Sequence, residues 1–382
     1  MNDLNFKIKV SDKMTQNKED SYIRLSSTLR NQLNVEVGTK IPFTNTQNKT
    51  VFLCVEKLYN EDADSDDFCY ISEVTFKKIN IEPTLKIDNL NITLGCDPEL
   101  FIVNRDNKRI LKAYLFLKHD GEIGSDGMVA ELRPPPGKNS TEVTANLYKL
   151  ILQFREILDK NKIYMPSKLM MYAASSHTDL TAGFHIHHGR LPDQIIDPEY
   201  FHTIPVIEQV VRVMDYFVGV PAIIAEGTTD SYRRTNTAVS YGKSGDYRTD
   251  NRTLEYRVPG GILLKHPVLT QGIMALSSVV IRDIISKIKL ISSDFKFNYW
   301  ASNTSQINSL YSTLPNPITV SKIISSKYVN NAKQRVKGIR ETVSNMINFK
   351  EEEDAINNFF DCLPTSQCID NDIEKNWINY FN

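Results

Sequence analysis

No uninterrupted run of about 18 apolar residues occurs in this 382-residue chain, so a membrane-spanning helix is not expected. Met1 to Lys18 is polar and lacks the apolar stretch of a secretory signal. Cysteine is scarce. Cys54, Cys69, Cys96, Cys362 and Cys368 are odd in number, far apart and without a CxxC pair. That argues against a disulfide framework or a zinc ribbon and for a reducing compartment. A surplus of either charge is missing too: the net charge is −1, so the chain as a whole has no pull toward nucleic acid or an anionic membrane. There is no internal repeat, and the phosphate-loop pattern GxxxxGK[ST] does not occur. What remains is ordinary globular material, 41 % hydrophobic and 24 % charged. Its length exceeds the roughly 100–200 residues usual for one core, so more than one unit is expected.

Residues 1–88 predict a small β-rich domain. Ile23–Leu25, Lys40–Phe43, Val51–Val55 and Phe68–Ser72 are candidate strands by β-branched and aromatic content, and Asn60–Asp67 is a candidate acidic loop. Residues 89–300 alternate strand-like runs with amphipathic helices. Asn139 followed by Glu142 is a helix-start signature. The helix it opens aligns Val143, Leu147, Leu150, Ile151, Phe154 and Leu158 on one face. A second helix after Pro205 aligns Ile207, Val210, Val211, Met214 and Phe217, and a third after Pro267 aligns Leu269, Ile273, Leu276, Val280 and Ile284. Residues 301–382 predict a helical C-terminal extension.

Four short segments place polar residues two apart, and therefore on one face of a strand. Gly95-Cys-Asp-Pro-Glu-Leu-Phe101 aligns Asp97 with Glu99. Two neighbouring carboxylates repel unless a cation such as Mg²⁺ or Mn²⁺ lies between them. The bland alternative is an exposed loop before an edge strand, with Pro98 marking the edge. Gly124–Arg133 aligns Glu131 with Arg133, which also suits a simple surface ion pair. Gly183-Phe-His-Ile-His-His-Gly189 aligns His185 with His187, a frequent metal-ligand spacing, and leaves His188 toward the core or the strand end. Leu254–Gly261 aligns Glu255 with Arg257: an acid for a metal and a planar fork for phosphate oxygens, or an ion pair. A cation-rich stretch follows the second helix. Arg233, Arg234, Lys243, Arg248 and Arg252, set among glycines and small polar residues, could gather phosphate or carboxylate charge, or form a solvated loop.

Taken in order, D-P-E, E-x-R, G-F-H-I-H, S-Y-R-R and E-Y-R-V-P-G resemble the glutamine synthetase / glutamate–cysteine ligase superfamily. Within it the chain is most similar to the phage-associated COOH–NH2 ligase type 2 family of amidoligases. The resemblance spans about residues 91–290. It implies an α+β fold: a glutamine synthetase-like curved, mainly antiparallel sheet with outer helices. It implies an ATP-dependent carboxylate–amine ligase that forms an amide bond through an acyl phosphate at a two-metal site, with ATP and Mg²⁺ (or Mn²⁺) as cofactors. Asp97, His185 and Glu255 match the holders of one metal, and Glu99 and Glu131 those of a second. Arg257, Arg233 and Arg248 are the implied catalytic residues. Arg257, Arg234, Lys243, Arg252 and His187 are the implied nucleotide or substrate contacts. Asp97 is shorter than the glutamate of glutamine synthetase. A further metal carboxylate has only Asp120, Glu122 and Asp126 as candidates, and no flap is recognisable.

Two other readings fit the residues. One is a metal-dependent hydrolase with His185 and His187 as joint zinc ligands. The other is a non-enzymatic virion or assembly protein on a ligase fold. The expected partners are small-molecule or peptide carboxylates and amines, with no nucleic acid and no membrane, and with a homo-oligomer or virion-associated assembly left open. The expected location is the cytoplasm, that of the host cell if the chain is phage-encoded.

Overall fold

The computed structural model describes residues 7–10, 22–25, 30, 36, 40–44, 50–57, 68–71, 92–191, 206–227, 232–235, 242–250, 252–291, 311, 314–326 and 328–382. The acidic segment Asn60–Asp67 lies outside them. The chain divides into two compact units, Met1–Leu90 with Ile284–Tyr299, and Asn91–Asp283 with Trp300–Asn382. The first holds strands β1 (Lys7–Val10), β2 (Tyr22–Leu25), β3 (Lys40–Thr44), β4 (Thr50–Lys57) and β5 (Phe68–Ile71). They form a mixed sheet in the order β1-β5-β2-β4-β3. β1 lies in a polar stretch that composition did not single out.

The second unit is built on β6 (Thr93–Asn104), β7 (Ile110–Leu111), β8 (Ile123–Asp126), β9 (Val129–Leu132), β10 (Leu169–Tyr172), β11 (Ser176–His177), β12 (Leu180–Thr181), β13 (Phe184–Gly189), β14 (Tyr247–Asp250) and β15 (Thr253–Tyr256). Eight of these make one open sheet, β14-β15-β13-β6-β9-β8, with β10 and β7 also paired to β6. Every pairing in it is antiparallel. With its helices the unit is α+β. β6 is central: Thr93–Pro98 pair with β13, and Glu99–Leu100 pair with β9. Pro98 therefore does not mark an edge. The Glu99 N–H resumes the bonding at once, donating to Gly183 O at 2.8 Å.

The helices are α1 (Ser140–Lys160), α2 (Val206–Met214), a π turn (Asp215–Gly219), α3 (Val220–Glu226), α4 (Tyr232–Thr235), α5 (Pro267–Ile291), α6 (Pro317–Ser325), α7 (Val329–Val343), α8 (Glu353–Cys362) and α9 (Ile373–Phe381). Asn139 caps α1, its side chain accepting the Glu142 N–H at 2.9 Å. All six apolar residues expected on the α1 face are buried, as are those expected on α2 and α5. Each such side chain contributes about 1.5–3 kcal/mol on burial. Pro267–Ser286 is long and apolar enough to cross a membrane by length and composition alone. However, 83 % of its most apolar window is buried inside the fold, so its apolar surface is already used.

Residues 317–382 are tied into this second unit. Trp377 is fully buried and donates its indole N–H to Leu264 O at 2.8 Å. Glu352 takes the N–H and hydroxyl of Ser140, at 3.0 and 2.5 Å, at the start of α1. Ladder alternation sends Ile186, His188, Leu254 and Tyr256 to one face of the sheet, where α5 and the π turn pack. His188 Nε2 meets Ser277 Oγ of α5 at 2.7 Å, and Tyr256 donates its hydroxyl to Asp215 at 2.8 Å. The opposite face is left polar.

Candidate metal and phosphate site

Strand register assembles that polar face. Arg248 lies opposite Glu255, Glu255 opposite His187, and His187 opposite Gly95. One step along, His185 lies opposite Asp97, and beyond it Glu99 lies opposite Glu131. The same-face pairs expected from the sequence thus gather on four adjacent strands, β15, β13, β6 and β9, with Arg133 and Arg257 one residue past the ends of β9 and β15.

The distances bring imidazoles and carboxylates together closely enough to share a cation. His187 Nε2 is 3.1 Å from Asp97 Oδ2, and His185 Nδ1 is 3.2 Å from Asp97 Oδ1 and 3.4 Å from Glu255 Oε1. Ligand atoms of Asp97, His187 and Glu255 all lie within 4.8 Å of one another. Asp97 Oδ1 is buried with no hydrogen bond aligned on it. Burial alone would raise the Asp97 carboxyl. The two imidazoles outweigh it and hold the group well below the usual carboxylate range. Burial likewise lowers the His187 imidazole, yet Asp97, Glu255 and Glu131 bring it to a net rise. Two carboxylates and an imidazole, with an oxygen still to satisfy, fit a small divalent cation.

Glu99 and Glu131 are a second acidic pair, both buried and directly opposed. Like charges so placed repel. Glu99 is eased by the Gly183 N–H, which donates to its Oε2 at 2.5 Å. Burial, then the charges of Asp97 and Glu99, push the Glu131 carboxyl up to about 7 against the pull of its ion-pair partner Arg133. A proton or a cation relieves this pair. Asp126, on the same face of β8, is exposed, as are Asp120 and Glu122.

The expected cationic residues separate into different places. Arg257 Nε contacts Glu255 Oε1 at 3.0 Å, and its Nη1 is 3.7 Å from Asp246 Oδ1. Arg248 is exposed on the same face. Arg233 is fully buried and donates to the carbonyls of Val258 and Arg257 at 2.8 and 2.7 Å. It therefore holds the main chain beneath Arg257. Arg234 is buried in a pair with Glu226 and also donates to the carbonyls of Gly242 (2.5 Å) and Val258 (2.8 Å). Those bonds engage its guanidinium on all sides, so its surroundings are those of a strut and not of a nucleotide contact. Arg252 stands at the β14–β15 turn with positive φ and bonds Leu191 O at 2.9 Å. Lys243 is half-buried in the loop before β14. Asp246, Glu226 and the Gly183 N–H were not singled out from sequence. Asp246 was the one acid between Lys243 and Arg248 in a basic stretch, and that contrast was its signal.

Residues 94–360 match the family described as phage phiEco32-like COOH.NH2 ligase type 2. The chain belongs to this family. It is therefore a carboxylate–amine ligase, an amide-forming enzyme of a kind that takes ATP with a divalent cation. No curated protein matches it in sequence. Among solved structures, a bifunctional glutathione synthetase from Pasteurella multocida aligns at 11 % identity and TM-score 0.33, over 73 % of this chain and 52 % of that one. The chain thus spans about half that protein's length. A structure titled as a novel glutamine synthase homolog aligns at 10 % identity and TM-score 0.34, over 75 % of this chain and 70 % of that one. A GmaS/ADP complex aligns at 12 % identity and TM-score 0.41, over 93 % of this chain and 96 % of that one.

Proposed function

We propose that this family member joins the carboxylate of a small molecule or peptide to an amine at the polar sheet face, through an acyl phosphate. One observation carries the reading: Asp97, His187 and Glu255 converge within 4.8 Å, with His185 bridging Asp97 and Glu255, and Arg257 against Glu255.

A free carboxylate is a poor acyl donor. In the proposed reaction its oxygen attacks the γ-phosphorus of ATP and ADP leaves. The amine then attacks the acyl carbon, phosphate leaves with the C–O bond's electrons, and the nitrogen loses a proton. Such chemistry depends on positioning and charge neutralisation more than on a covalent group from the protein. A divalent cation, when bound, supplies positive charge to the phosphate oxygens. Asp97, His187 and Glu255 would hold one, with His185 orienting both acids; Glu99 and Glu131 would hold a second. Arg257, set by Glu255 and Asp246, presents a fork to phosphate, and Arg248 adds a charge beside it. Arg233 keeps the Arg257 main chain in place.

The test is product analysis by phosphorus NMR with ATP, Mg²⁺ and pooled carboxylates and amines. ADP and inorganic phosphate are expected, dependent on both an acid and an amine. AMP and pyrophosphate would exclude the acyl phosphate. Tight zinc with amide cleavage would favour the hydrolase reading.

A further inference from the structure

A cavity of about 610 Å³ opens on the other face of the same sheet, between α2, the loop before β14, and α6. Its face follows from register. Tyr247 lines it and pairs with Tyr256, while the next residue, Arg248, pairs with Glu255 on the polar face. The volume is in the range that encloses small molecules.

Two features mark it as a built site. The α2–α3 helix is interrupted at the cavity wall by the π turn Asp215–Gly219, a distortion that recurs at functional sites. Asp215, buried at the wall, accepts from Ser244 Oγ at 2.5 Å, Gly245 N at 2.7 Å and Tyr256 Oη at 2.8 Å. Those three donors engage Asp215 and shape the loop around the opening. The charges left to face a ligand are Glu208 and Arg212, one helical turn apart on α2, and Lys322 on α6. None of the three is in an ion pair among the described residues. Ile318 and Val320 supply an apolar wall.

We propose that this cavity binds a free amino acid, a small zwitterion whose carboxylate meets Arg212 and Lys322 and whose ammonium meets Glu208. Two cations and one carboxylate around an apolar wall match that charge pattern. The site is separate from the cation cluster and does not depend on the ligase reading. It is also wired to the cluster. Ser244 and Gly245 touch Asp215 on the cavity side, and the next residue, Asp246, contacts Arg257 on the other. Occupancy therefore acts on the loop that sets Arg257.

The experiment is saturation-transfer NMR on the full chain with each of the twenty standard amino acids in turn, and with inorganic phosphate. At least one amino acid is expected to bind. Arg212→Glu and Lys322→Glu, both at exposed positions, should weaken it about tenfold or more, the loss of a charge-assisted contact. Glu255→Gln should still bind, with at most about a fivefold change passed through Arg257 and Asp246. The proposal is overturned if no amino acid binds the parent chain, or if binding survives both charge reversals. Loss of binding in Glu255→Gln would place the ligand in the cation cluster instead. Phosphate that displaces the amino acid with the same variant dependence would make the cavity a plain anion site.

Discussion

Replacing Glu131 with glutamine isolates the strain in the polar face. Its carboxyl rises from 4.5 to about 7, first through burial and then through Asp97 and Glu99. A shift of that size corresponds to about 3 kcal/mol between the two protonation states. The side chain is 11 % exposed, and screening leaves about 2 kcal/mol. The sign follows from linkage. The folded chain binds this proton more tightly than the unfolded one, so the stability it brings is complete below about pH 4.5 and drains away as the pH rises through 7. In EDTA, Glu131→Gln should match the parent at pH 4.5 and exceed it by about 2 kcal/mol at pH 8 in urea unfolding. Millimolar Mg²⁺ should then stabilise the parent at pH 8 and the variant much less. A variant no more stable than the parent at pH 8 in EDTA refutes the argument, as does an equal gain from Mg²⁺ in both.

Gly183→Ala would put a Cβ 2.2 Å from His185 Nε2. Overpacking costs about 1–3 kcal/mol, and the displaced imidazole should lower Mg²⁺ affinity in calorimetric titration; unchanged affinity would remove His185 from the site. Arg234→Met leaves Glu226 buried and unpaired and should cost about 3–5 kcal/mol in urea unfolding. Arg248→Ala should change stability by less than about 0.5 kcal/mol and lower turnover, and the reverse pattern would swap their roles. Trp377→Ala should cost about 3–5 kcal/mol, and a smaller loss would mean that α9 is only loosely joined to the sheet.

Local sequence carried the faces of the strands but not their neighbours. Two-residue alternation is a property of each strand alone, so Asp97 with Glu99 and His185 with His187 were legible. That His187 stands opposite Glu255, and His185 opposite Asp97, is set by pairing across tens of residues, and no local pattern encodes it. His187, expected toward the substrate, consequently lies with Asp97 and Glu255 in one cluster of ligand atoms. The arginines show the converse. A guanidinium suits a buried carbonyl or carboxylate as well as it suits a phosphate, so Arg233 and Arg234 read alike with Arg248 until topology separated them. Helix faces were legible because periodicity and the Asn139 cap are local. The π turn was not, although Asp215 within an apolar run was its trace.

The central claim is that the acids and histidines of this face hold a cation that receives ATP. Thermal or urea unfolding with ATP and Mg²⁺ together measures it most directly. At about 100 times Kd the parent chain should gain roughly 2.7 kcal/mol, with Mg²⁺ alone giving a smaller gain and ATP alone none, and Asp97→Asn and Glu255→Gln should each lose that gain while remaining folded. A parent chain that gains nothing, or variants that gain as much as the parent, would contradict the account.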